Sequence, residues 1–213
     1  MKHSGIRTKD FHSYEDFGQL LAARSSGDPS KKLATKTVPF MSGFYDFSKL
    51  YGSLAFESRE VTYSFDIMEE TKEECQHIRA KMMDWLSSVH DEDIFDDDIP
   101  GYHWHGSFSS SSWSEAETGE SGTLEVTFLC HPFMICDTWT EIHLATGNHT
   151  IMNINQTVKP TAVPDTGTAT VKIGEYSQTI SAEQELSIPL VSGENTVQVS
   201  NNAIILKWRE ERA

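Results

Sequence analysis

The sequence predicts a mainly β protein: an N-terminal β-rich domain with one α-helix, followed by a small β-sandwich. Three observations predict it. Val61, Tyr63, Phe65 and Ile67 alternate with Thr62, Ser64 and Asp66, the period-two pattern of a half-buried strand. Only residues 71–89 carry a helical period. Beyond His131-Pro132 the chain consists of short β-prone runs spaced by Gly, Asn and Pro, the rhythm of a small sandwich.

Taken in order, Ile6, Phe11, Phe17 and Leu20 stand among polar residues and predict a short edge element. The run Arg24 to Lys32, rich in Ser, Lys, Gly and Pro, predicts an exposed loop. From Thr35 the chain turns aromatic, through Val38, Phe40, Phe44, Tyr45, Phe47 and Tyr51, and leads into the alternating strand that ends at Ile67. Thr71 with Glu74 three residues on makes a capping box. Cys75, Ile78, Met82, Trp85, Leu86 and Val89 then fall on one face, while Lys72, Glu73, Arg79 and Asp84 fall on the other, so this helix should lie against a sheet.

Six carboxylates crowd the eight positions from Asp91 to Asp98, and Ile99-Pro100-Gly101 then starts a turn. Such a charge run reads as a solvated loop. Tyr102 to Phe108 and Gly122 to Cys130 predict two further strands, with the serine-rich stretch between them as a long polar connection. In the remainder, Thr150 to Asn155, Ala169 to Ile173, Tyr176 to Ile180, Glu185 to Leu190, Thr196 to Val199 and Ile204 to Trp208 are the strand candidates. The domain boundary is expected near Pro132, separating residues 1–132 from 133–213.

At 213 residues the chain can bury a real core. The polar start, Met1 to Lys9, has no apolar run behind it, and no stretch is long enough to span a bilayer, which predicts no export signal and no membrane partner. Cys75, Cys130 and Cys136 match neither a zinc knuckle nor a redox motif and read as thiols of a reducing cytosol. A net charge of -15 argues against a direct grip on nucleic acid, which needs Lys and Arg to neutralise phosphates.

For chemistry, the acidic run lacks the alternating ligands, central Gly and terminal Glu of a calcium loop. His103 and His105 would share one face of a strand and, with His90 or His131, have the donor type for zinc, yet no carboxylate or cysteine stands at ligand spacing. The expectation is therefore no metal and no cofactor. The sequence holds no Gly-x-Ser-x-Gly, His-Glu-x-x-His or phosphate-binding glycine loop, and Glu115 with Glu117 has nothing to set a separation or split two pKa values. No enzyme is expected. The aromatics Phe40, Phe44, Tyr45, Phe47 and Tyr51 read equally as core or as a subunit contact, since aromatic anchors are what interfaces favour. Trp113, among serines, points to a partner contact.

These residues resemble a known family. Gly5-Ile6, Phe11 through Gly18, Val38-Pro-Phe-Met-Ser-Gly-Phe-Tyr-Asp-Phe47, the Tyr63-Ser-Phe65 strand running into the helix, and the Gly122 strand ending in Cys130-His-Pro-Phe133 are similar to the distal tail proteins of long-tailed siphophages. Asn155, Pro160, Ser192 to Val199 and the final Ile204 to Trp208 extend the similarity over most of the chain. The resemblance implies an N-terminal ring-forming tail domain and a C-terminal galectin-like β-sandwich. It implies a homo-oligomer, a hexameric ring, that joins the tail tube protein to the tail-associated tip protein. It places the protein in the virion, at the distal end of the phage tail, after synthesis in the host bacterial cytoplasm. DNA would pass without specific binding, and acidic residues facing a ring lumen would repel its phosphates. The short C-terminal domain leaves little room for a long arm or an inserted carbohydrate module.

Two other function classes compete. One is a carbohydrate-binding adhesion module with Trp139 or Trp208 as the sugar platform, although residues 133–213 show no supporting cluster of Trp, Asn, Arg and His. The other is a metal-dependent hydrolase built on His103, His105 and the acidic run.

Overall fold

The computed structural model describes residues 4–9, 11–40, 42–48 and 55–213. The chain is mainly β with one helix and divides into two compact units, one ending at Met134 and one running from Ile135 to Arg212. Among the described residues no helix is long and apolar enough to cross a membrane.

The first unit contains β1 (Ile6–Arg7), β2 (Leu21–Ser26), β3 (Thr35–Lys36), β4 (Tyr45–Asp46), β5 (Arg59–Met68), α1 (Lys72–Ser87), β6 (Glu92–Asp96), β7 (Tyr102–Glu115) and β8 (Ser121–Cys130). Six strands form an antiparallel path in the order β1, β6, β7, β8, β5, β2. The path curls until its ends meet, because the Leu21 N–H donates to the Ser4 carbonyl at 3.0 Å. One face of β5 and of β8 is thereby enclosed. On β5 that face is Val61, Tyr63, Phe65 and Ile67; opposite them β8 contributes Phe128, Val126 and Leu124 in direct register. On the outer face the Thr62 and Thr127 hydroxyls share a hydrogen bond of 2.9 Å.

Helix α1 forms where the capping box predicts it. The Thr71 hydroxyl accepts the Glu74 N–H at 3.2 Å and donates to the Glu74 carboxylate at 3.0 Å, and Glu73 and Glu74 meet the positive end of the helix dipole. Cys75, Met82, Trp85 and Leu86 enter the barrel core. The helix stops at Ser88, whose hydroxyl donates to the Trp85 carbonyl at 2.6 Å, and the left-handed Asp91 (φ 55°) turns the chain into β6.

Three stretches differ from expectation. The acidic run is a strand, β6, held between β1 and β7, because Ile94 supplies an apolar inward side chain and flanking strands supply the backbone partners. Arg24, Ser25 and Ser26, expected in a loop, lie on the β2 edge and pair with β5 across a bulge near Ala23. The serine-rich stretch is no long connection. It continues β7 as far as Glu115, paired to β8 with a bulge between Phe108 and Ser110, so only residues 116–120 connect the strands. Exposed apart from the half-buried Trp113, that ribbon has no reason to alternate in sequence; ladder pairing decides its state.

A short strand β9 (Met134–Cys136) leads into the second unit, which holds β10 (Thr140–Leu144), β11 (Gly147–Asn153), β12 (Thr161–Pro164), β13 (Ala169–Ile173), β14 (Tyr176–Ile180), β15 (Gln184–Glu185), β16 (Gly193–Ser200), β17 (Ile204–Trp208) and β18 (Glu211–Arg212). Two four-stranded antiparallel sheets, ordered β10, β17, β12, β15 and β11, β16, β13, β14, share a core that includes Val171, Val197, Leu206 and Trp208. Glu185 to Leu190, expected as a strand, is extended only at its start; Leu186 and Leu190 are nevertheless buried. The core amides are satisfied: Asn153 donates to the Gln156 and Leu190 carbonyls, and Asn195 to those of Val191 and Gly193.

Candidate subunit interface

Between β2 and β5 the chain leaves the barrel as a two-stranded arm. At its base the Glu57 N–H donates to the Ser30 carbonyl and the Lys32 N–H to that of Ala55, both at 2.9 Å. Further out, β3 pairs with β4, Lys36 opposite Tyr45, and the Ala34 N–H donates to the Ser48 hydroxyl. A lone two-stranded ribbon is marginally stable in water. This one carries Leu33, Val38, Phe40, Phe44, Tyr45 and Phe47, all exposed.

Phe40 is fully exposed and left-handed, at φ 68°. For a bulky side chain that conformation costs about 1–2 kcal/mol. Nearby Gly43, at φ 94°, adopts the same region without such a cost. The Tyr45 and Phe47 rings touch each other, with centroids 6.2 Å apart. Phe40, Phe44, Tyr45 and Phe47 are thus gathered on one arm, while Tyr51 lies outside the described residues.

Trp113 sits elsewhere. It is half-buried on β7, opposite Leu124, and packs on the barrel core, with the Arg79 guanidinium of α1 5.0 Å from its ring. The absence of a side chain at Gly122 makes room for it: a Cβ there would lie 2.3 Å from the ring. These contacts hold the ring against the first unit's core, while part of it stays accessible.

A second aromatic group was not legible as a unit in the sequence. Phe17 stacks on Trp85 at 5.1 Å and 11°, and Phe11 meets Trp85 edge-on at 6.2 Å. The Trp85 indole N–H donates to the Thr8 hydroxyl at 2.7 Å. Phe11 and Phe17 belong to a loop without periodicity and Trp85 to the helix's apolar face, so only the tertiary fold joins them.

Most carboxylates of the acidic run have partners within the fold. Asp96, its side chain 1% exposed, accepts from Arg24 at 2.7 Å, and Asp98 from Arg24 at 3.1 Å. His12 accepts the Tyr14 and Glu15 N–H groups at Nδ1, so its proton is on Nε2 and is donated to Asp97 at 3.0 Å. His105 lies 2.7 Å from Asp93 and 3.1 Å from Asp91. Burial opposes its charge, but the bonds to the two carboxylates prevail and raise its pKa. His103 also approaches Asp93, at 3.5 Å, on the same face. Among the described residues no group of three or more His, Cys, Asp or Glu is arranged to hold a metal ion.

In the second unit Trp208 is a core residue, 2% exposed, which removes it as a sugar platform; β17 turns it inward with Leu206 and Ile204. Trp139 is half-exposed, with Lys207 and Arg209 against its ring at 6.0 and 5.0 Å.

The whole chain aligns with the whole of the Dit protein of phage SPP1, described as a paradigm of the hub adsorption apparatus of phages infecting Gram-positive bacteria, at 12% identity and a TM-score of 0.77. Chains of the phage p2 baseplate, in its activated conformation with calcium and with strontium, align at 8% identity and a TM-score of 0.44, over 100% and 99% of both chains respectively. No curated protein sequence matches. Residues 7–130, spanning the curled barrel and its helix, match the model of the phage tail protein RIFT-related domain. Sequence model and fold agree on more than half of the chain, and the protein belongs to this family of phage tail proteins.

Proposed function

We propose that this phage tail protein is a structural hub of the distal tail, closing into a hexameric ring that joins the tail tube to the tip and lets DNA pass. The observation that carries this reading is the agreement of fold with the SPP1 protein along the full length of both chains, not over one domain alone. The exposed arm supports it, since an apolar aromatic surface held partly in a costly backbone conformation is what a buried subunit contact leaves open in a lone chain. The first unit would form the ring. The net charge of -15 fits a lumen that repels phosphate. Synthesis in the host cytoplasm fits the buried thiols.

The test is the solution mass by light scattering, across concentration and salt. A mass near six subunits is expected. A strict monomer under all conditions, with a melting temperature raised by cell-wall saccharides, would overturn the ring in favour of an adhesion module.

A further inference from the structure

We infer that the aromatic arm of one copy docks in the cleft beside α1 of the next, so that the subunit contact is head-to-tail; this rests on the reading of the protein as a self-assembling hub. The cleft is floored by Trp85 and walled by Phe17 and Phe11, with Asp16, Lys81 and Asp84 at its rim. Phe11 remains exposed although it touches both other rings. Within one copy Phe40 and Phe44 are exposed as well, so the arm does not cover the cleft of its own chain.

Arm and cleft match in chemistry. Both are aromatic, and ring pairs in edge or offset contact are worth about 0.5–1.5 kcal/mol beyond the area they bury. Their charges are opposite in balance. Residues 29–48 carry Lys31, Lys32 and Lys36 against the single Asp46, in a chain whose total is -15. One of these lysines, Lys32, faces Glu57 at 3.9 Å, which leaves Lys31 and Lys36 for a neighbour. At the cleft, Asp16 and Asp84 stand against the single Lys81; Asp84 is exposed on α1, and Asp16 holds the His12 backbone N–H at 2.7 Å. The occupant that fits an acidic-rimmed aromatic cleft is therefore this chain's own basic aromatic arm, in a second copy. Because arm and cleft are different surfaces, each copy offers one of each, and such heterologous contacts close rings or extend filaments.

The experiment uses the full chain carrying Cys136→Ser, so that only buried native thiols remain. A Phe44→Cys preparation is mixed with a Lys81→Cys preparation, oxidised mildly, and the cross-linked product is identified by mass. A mixture of Phe44→Cys with Lys172→Cys, on an exposed position of β13, is the control. The Phe44 to Lys81 product should exceed the control about tenfold, and adding Asp84→Lys to the Lys81→Cys chain should lower it severalfold. Equal yields from both mixtures overturn the docking. If light scattering on the same samples still shows an oligomer, the hub reading survives that loss; a monomer without cross-links overturns both.

Discussion

Arg24 on the last strand of the barrel path clamps Asp96 on the second, 2.7 Å away and 72 residues on, and so bonds the curled sheet across its seam. The Asp96 carboxylate also accepts the Asp98 N–H, at 2.9 Å. Arg24→Ala leaves a buried carboxylate short of a partner, a loss of about 1–3 kcal/mol. Urea denaturation should show it as a lower midpoint at constant slope. An unchanged midpoint would mean that the seam is held by backbone bonds alone.

Gly122→Ala should destabilise by about 1–3 kcal/mol, because the new methyl must displace the Trp113 ring. The two positions are coupled, so the penalty should shrink in a Trp113→Leu background. Thermal melts of the four chains measure this. Equal penalties in both backgrounds would contradict the packing of Trp113 into the fold.

The His105 cluster makes stability depend on pH. Despite burial, its bonds to Asp93 and Asp91 raise its pKa in the fold above the 6.5 of a free imidazole. Below that unfolded value its contribution is fully present. As pH rises through the higher folded value the contribution is lost, since the native chain must then release a proton that the unfolded chain has already released. Urea midpoints should fall across this interval, and His105→Asn should flatten the fall. An identical profile in the variant would assign the dependence elsewhere.

Thiol reactivity should separate the three cysteines. Burial pushes the Cys130 thiol up to about 12 and raises that of Cys75, while Cys136 is half-buried. Alkylation near pH 8 should label Cys136 alone in the native protein and all three after unfolding. Early labelling of Cys130, followed by mass spectrometry, would reveal opening of the sheet at the end of β8.

Phe40→Gly relieves the left-handed aromatic without removing a core contact. The melting temperature of the dissociated chain should be unchanged within about 1 kcal/mol of stability, as lost strain and added chain entropy offset each other. Self-association should weaken. An intact assembly with this variant would remove Phe40 from the contact.

The sequence by itself determined the elements that lie between core and water. Strand β5 and helix α1 each meet the barrel interior on one face and solvent on the other, so their periods of two and 3.6 are written directly in residues 61–67 and 75–86. The same held for β13, β14 and β17, found where their β-prone runs lie. Within the candidate interface, the aromatic content of residues 40–47 was legible, but not whether those rings faced inward or out; that depended on the arm leaving the barrel. Tertiary structure alone decided the rest. The serines after Phe108 and the carboxylates of β6 are strands because β8, β1 and β7 lie alongside to take their backbone bonds, and the charges of β6 are tolerable because Arg24 of β2 and His105 of β7 reach Asp96 and Asp93. Local pattern records a segment's exposure to core and water, whereas backbone and charge partners remote in sequence exist only once the sheet has curled.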